Sequence, residues 1–184
     1  MTDSPIPGVL LLCLDMQVPF IGAIEGGPAV ARRCKLALTA ASGLGIQSVL
    51  TEQVPTKLGP TEASIRTAAP DAPVFAKTTF SALSDDALQN YVASLEVEHL
   101  ILCGLETPIC IYQTAIDALN QDLAVTILSD AIGARRAADA IAALDALKRL
   151  GAHVLPTETV IYAMLHDTEH PFFKTFTKLV KSHA

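Results

Sequence analysis

Residues 98–130 read EHLILCGLETPICIYQTAIDALNQDLAVTILSD, and this stretch decides the fold class. EHLILCG (98–104) is an apolar run of strand length without alternation, the pattern of a strand buried on both faces. PICIYQTAIDALNQ (108–121) reads as a helix with a proline at its first position. LAVTILSD (123–130) is another strand of the same kind. Strands buried on both faces and separated by helices define a mostly parallel sheet covered on two sides.

The same alternation extends in both directions. Upstream lie a strand VLLLCLD (9–15), a helix PAVARRCKLALTAASGLG (28–45), a strand IQSVLT (46–51), a Pro/Gly-rich loop EQVPTKLGPTEA (52–63) and a strand PVFAK (73–77). A helix DDALQNYVASL follows, with Ser84 as its expected cap and acids in its first turn. Downstream come a helix RRAADAIAALDALKRLGA (135–152), a strand HVLPT (153–157) and two C-terminal helical stretches. With no repeat or long linker, one domain spanning 1–184 is expected.

Composition narrows the function classes. The net charge of −6 and the lack of any lysine- or arginine-rich run argue against nucleic acid as the main partner. No apolar stretch approaches the ~20 residues that span a bilayer, and GVLLLCL (8–14) runs straight into Asp15 without a basic leader. The four cysteines, Cys13, Cys34, Cys103 and Cys110, have no metal-type spacing, which fits a reducing, cytoplasmic setting.

Sheets of this class bind ligands beyond the carboxyl ends of their strands. At those ends stand Asp15, Glu52 and Gln53, Lys77, the turn leading to Cys110, and Asp130. A carboxylate, an ammonium and a thiol therefore share one rim. Thr107 as N-cap and Pro108 as first helical residue would put Cys110 third in its helix, where free N–H groups favour a thiolate and could hold an oxyanion. Thr107 as a cap would compete for the same Cys110 N–H. The five histidines are poorly placed to serve as base: His99 and His153 at the opposite rim, His166, His170 and His183 near the C-terminus. Asp15 is the available base, with Lys77 lowering the thiol pKa.

Taken singly, Cys110 reads as a packed core residue, Asp15 as a strand-end cap and Lys77 as a loop lysine; their coincidence on one rim favours a site. Asp117 and Asp130 read as structural, Arg135 and Arg136 as surface charges or, as the lesser reading, as binders of an anionic substrate group, and Cys13, Cys34 and Cys103 as packing residues. Among the four thiols, Cys110 is expected to be the hyper-reactive one.

Asp15 in LLCLDMQ, Lys77 in FAKTTFS and Cys110 in GLETPICIYQTAIDA resemble the motifs of the isochorismatase-like cysteine hydrolases, in order and spacing over nearly the whole chain. The short isochorismatase-domain-containing proteins are the most similar members, on TEQVPTKLGPT, AKTTFS and HPFFK. The resemblance implies a three-layer α/β/α fold with a six-stranded, mostly parallel Rossmann-like sheet. It implies a triad of base Asp15, Lys77 and nucleophile Cys110. It also implies a cis peptide before Glu106, with the Glu106 and Cys110 N–H groups as oxyanion hole. Nicotinamidases carry an Asp–His–His metal site in the loop after the second strand, whereas this chain has Glu52, Gln53 and no histidine there. Members that cleave isochorismate itself lack the cysteine.

The expected function is a metal-independent, cofactor-free hydrolase cleaving a small amide or related C–N bond through a thioester. Gln17, Phe20, Gln53, Phe80 and Tyr112 flank the motifs as candidate substrate-binding residues. The alternatives are a binding or assembly module that keeps the fold, and a thiol redox sensor. The partners expected are a small-molecule substrate and further copies of the chain, with neither nucleic acid nor membrane. Clustered Phe172, Phe173, Phe176, Leu179 and Val180 suggest an interface that makes a homo-oligomer.

Overall fold

The computed structural model describes residues 6–182. A six-stranded sheet in the order β3-β2-β1-β4-β5-β6 forms the middle layer, and every neighbouring pair is parallel. Its strands are β1 (Val9–Leu14), β2 (Gln47–Gln53), β3 (Val74–Lys77), β4 (His99–Leu105), β5 (Ala124–Gly133) and β6 (His153–Leu155). In β1, Leu11 and Cys13 face one helical layer while Leu10, Leu12 and Leu14 face the other, which is why its sequence does not alternate.

On the first face pack α2 (Gly27–Gly43), α4 (Ala63–Ala68), α8 (Thr157–Leu165) and α9 (Phe173–Ser182), contributing Leu38, Ile65, Ile161 and Phe176. On the second, α5 (Asp86–Ser94), α6 (Tyr112–Asn120) and α7 (Ala137–Arg149) contribute Leu88, Ala115 and Leu147. The short helices α1 (Val18–Ala23) and α3 (Pro55–Leu58) follow the first two strands. Among the described residues no helix is long and apolar enough to cross a membrane. The expected three-layer fold is therefore what the chain adopts.

Several local expectations change. Asp85, not Ser84, caps α5 by accepting from the Leu88 N–H at 3.1 Å. The 52–63 loop contains α3 and leads directly into α4, and Glu52 pins it by accepting from the Thr61 N–H and hydroxyl. Between the pairs Leu102–Ile127 and Gly104–Ile132, β4 advances two residues and β5 five, so β5 bulges there and Ile132 and Gly133 continue it beyond residue 130. Asp130 thus lies inside the strand, bonded to Thr157 and Arg33, a structural tie and not a rim group.

The C-terminal aromatic cluster also departs from expectation. Phe176 is fully buried within its own chain, and Phe172, Phe173, Leu179 and Val180 pack against the same core. A Cβ on Gly43 of α2 would lie 2.1 Å from the Phe172 ring, so that glycine makes the room the returning segment needs. These side chains do not form an exposed interface.

Doubly wound sheets bind at the point where strand order reverses, which here lies between β1 and β4. Gly104 brings the two strands together there. Its φ is +108°, and an added Cβ would meet the Leu14 carbonyl oxygen at 2.1 Å. Backbone cannot rotate away as a side chain can. Gly104→Ala is expected to destabilise the fold by ~4 kcal/mol or more. Urea unfolding checks this, and a loss under ~1 kcal/mol would show that the strands part freely.

Candidate active site

Asp15 follows β1 with φ of 54°, a left-handed conformation that aspartate tolerates better than most residues. Its carboxylate is 1% exposed. Oδ1 accepts from the Thr51 hydroxyl at 2.7 Å and Oδ2 from Lys77 Nζ at 2.7 Å. Thr51 is opposite Leu14 in the β1–β2 register, so the pleat itself brings this hydroxyl to Asp15.

Lys77 ends β3, and its side chain is fully buried. Besides Asp15, the ammonium faces Gln53 Oε1, the carbonyls of Thr79 at 3.3 Å and Phe80 at 3.5 Å, and Cys110 Sγ at 3.8 Å. With this many acceptors around it, the buried Lys77 side chain is held in one position. The structure thus brings Asp15, Lys77 and Cys110 together.

The turn before Cys110 differs from a simple capped helix start. Thr107 donates its hydroxyl to the Gly133 carbonyl at 3.0 Å and gives no side-chain cap, so it does not claim the Cys110 N–H. Residues Thr107–Ile111 form a π-helical turn, and Cys110 is its fourth residue, not its third. The Leu105–Glu106 peptide is cis. The Glu106 carboxylate turns to Arg135, accepting from Nε and Nη2 at 3.0 Å each and from the Arg135 N–H at 2.9 Å. Burial pushes the Glu106 carboxyl up, but these bonds outweigh it and hold it below its usual range. Arg135 is therefore a tether for the turn, not merely a surface charge.

Cys110 is no preformed thiolate. Burial and the Asp15 charge, together with the thiol's hydrogen bond to Asp15, outweigh Lys77 and the Glu106 N–H and push it up to about 12. A helix-start argument presumes access to solvent, whereas this thiol is 4% exposed beside a carboxylate. The activated thiolate expected of a helix start is therefore not what these surroundings favour: burial and the neighbouring Asp15 favour the protonated thiol.

The five flanking residues take different positions. Gln17 donates to the carbonyls of Gln53 and Gly59 and accepts from the Gln53 N–H. Gln53 donates its amide N–H to Thr78 O, and its oxygen accepts from Lys77. Both amides act first as scaffold. Phe20 and Tyr112 are half-buried against opposite cores, whereas Phe80 is 56% exposed beside the Lys77 ammonium. Sequence reasoning missed Thr51, Arg135 and the bond from Thr107 to Gly133. A polar residue at a strand end was the one available signal, and it applied to Thr51 alone.

His99 sits at the amino end of β4, bonded to Thr126, and His153 opens β6, both at the opposite rim as expected. His166 and His170 make local bonds to Asp167 and the Phe172 N–H, and His183 lies outside the described residues.

Fold and site together define a class: doubly wound α/β proteins with a buried carboxylate, ammonium and thiol at the strand ends beside the topological switch. Within it the chain belongs to the isochorismatase family, whose isochorismatase domain model matches residues 9–159. Isochorismatase domain-containing protein 2 of Xenopus laevis is 34% identical over 176 residues, covering 96% of this chain and 84% of that protein. The solved structure of MAR1 ribonuclease from Caenorhabditis elegans superposes with a TM-score of 0.89 at 29% identity, covering 96% and 92% of the two chains. YcaC of Escherichia coli, described as an octameric hydrolase of unknown specificity, has a TM-score of 0.84 at 19% identity, covering 96% and 93%, a likeness of fold.

Proposed function

We propose that the chain is a metal-independent cysteine hydrolase that cleaves a small amide or related C–N bond. The observation that carries this is the buried cluster in which the Lys77 ammonium lies 2.7 Å from the Asp15 carboxylate and 3.8 Å from the Cys110 sulfur. As Sγ attacks the carbonyl carbon, the thiol proton passes to Asp15, and the Glu106 and Cys110 N–H groups receive the oxyanion. Asp15 then protonates the leaving amine, the C–N bond breaks, and a thioester remains. Water attacks that thioester while giving a proton to Asp15, which returns it to sulfur as the acid departs. Lys77 keeps its proton throughout and holds Asp15 in place. The exposed Phe80, whose carbonyl lies 3.5 Å from the Lys77 ammonium, is the flanking residue best placed to meet a substrate.

The test is a panel of small amides, carbamoyl compounds and an unstructured RNA, the last because a relative is described as a ribonuclease. Amine release from at least one amide, with an acyl adduct mapped to Cys110, is the expected result. RNA cleavage that survives Cys110→Ala, or no turnover and no adduct across the panel, would replace this reading with a nuclease or a binding module. Turnover is also expected to survive prolonged EDTA. The carboxyl end of β2 offers Glu52 and Gln53, and both are engaged with Thr61, Thr78 and Lys77. Loss of activity restored by zinc would refute metal independence.

A reducing, cytoplasmic location is supported by four cysteines, all free. Self-association is proposed from the octamer described for YcaC. Light scattering at micromolar concentration is expected to give a multiple of 19.4 kDa, and a monomer would remove the proposal.

A further inference from the structure

The three cysteines read as packing residues converge. Cys13 and Cys103 are opposite each other in the β1–β4 register, and Cys34 of α2 covers the same face. Their Sγ atoms all lie within 4.8 Å of one another. Each side chain is at most 1% exposed, and none is in a disulfide. Met16, also 1% exposed, adds a thioether 3.9 Å from Cys34 Sγ. The sheet separates this group from Cys110, which belongs to the opposite core.

The geometry points to a closed binding site for a single copper(I) ion, with Cys13, Cys34 and Cys103 as ligands and Met16 as a weaker fourth. A metal–thiolate bond of ~2.3 Å places the sulfurs of a trigonal site ~4 Å apart, within the spacing present here. Thiolate with thioether is a soft donor set that suits copper(I). Structural zinc would instead want a fourth thiolate or a histidine, and the clustered group holds neither. Each thiol that coordinates releases its proton to solvent, with no change in oxidation state. Because the ligands come from two strands and a helix, the ion would tie α2 to the sheet and raise thermal stability.

The test is anaerobic titration of the reduced full chain with copper(I) against a chromophoric copper(I) chelator. It is run on the folded chain and again after refolding with the ion present, since the site is sealed. One copper(I) withheld per chain and a raised melting temperature are expected. X-ray absorption should show sulfur alone at ~2.3 Å. Cys110→Ala should bind as wild type does, Cys34→Ala should not bind, and Met16→Leu, which keeps core volume, should bind about tenfold more weakly. No copper(I) retained by either route, preferential uptake of zinc, nitrogen or oxygen ligands in the absorption spectrum, or loss of the site in Cys110→Ala would each overturn the assignment.

Discussion

Asp15→Asn is expected to separate two properties of Cys110: turnover falls by ~10²–10⁴-fold, while alkylation of the thiol at neutral pH becomes faster. The base that moves every proton in the proposed cycle is gone, and asparagine cannot accept one. The Asp15 charge and its hydrogen bond are also two of the causes that hold the thiol up near 12. Removing both leaves the Lys77 ammonium, 3.8 Å from sulfur, as the nearest charge, and it favours thiolate. In the wild type, alkylation should climb about tenfold per pH unit through neutrality, with no plateau below about pH 12. In Asp15→Asn the plateau should move to lower pH. Asparagine suits the left-handed backbone at this position and keeps an oxygen for the Lys77 ammonium, so the variant is expected to fold at reduced stability, which a melting curve checks. Cys110→Ala, which loses both reactions, is the control. Timed iodoacetamide labelling with peptide mapping provides the reading. Slower labelling in Asp15→Asn would mean that Asp15 activates the resting thiol and does not suppress it.

The strand–helix alternation was legible because strands buried on both faces carry unbroken apolar runs, and β1 and β4 are of that kind. The rim followed from the rule for parallel sheets, and it led to Asp15, Lys77 and Cys110 without knowledge of any side-chain contact. What escaped depends on partners distant in sequence. The Thr107 hydroxyl is drawn from its cap by a carbonyl 26 residues away, at Gly133. Asp130 leaves the rim because β5 bulges between Ile127 and Ile132 and then runs on beside β4 to Gly133. The aromatic C-terminal segment returns to its own core because Gly43 leaves room for Phe172. The acidity of Cys110 was misjudged for a related reason. Helix position is local, whereas burial and the charge of Asp15 are properties of the assembled fold, and here they dominate.

Lys77→Met is expected to cost ~3–5 kcal/mol of stability, more than any loss of packing at this volume-conserving change. The ammonium is the only cation that the structure pairs with the Asp15 carboxylate among the described residues, and both side chains are at most 1% exposed. With the lysine gone, a buried carboxylate keeps a single strong partner, the Thr51 hydroxyl at 2.7 Å, and Gln53 Oε1 loses its donor. Most of the cost therefore comes from the stranded charge and not from the lost pair. Asp15→Asn/Lys77→Met should accordingly regain at least half of it, since removing both charges from a buried pair is far cheaper than removing one. Urea unfolding of the wild type, the two single variants and the double variant closes a thermodynamic cycle. A coupling energy of 2 to 3 kcal/mol (the upper part of the range usual for contacting residues) is the expected result. Additive losses would mean that Asp15 and Lys77 do not sense each other's charge, and the case for Lys77 as the group that holds the base would fall with them.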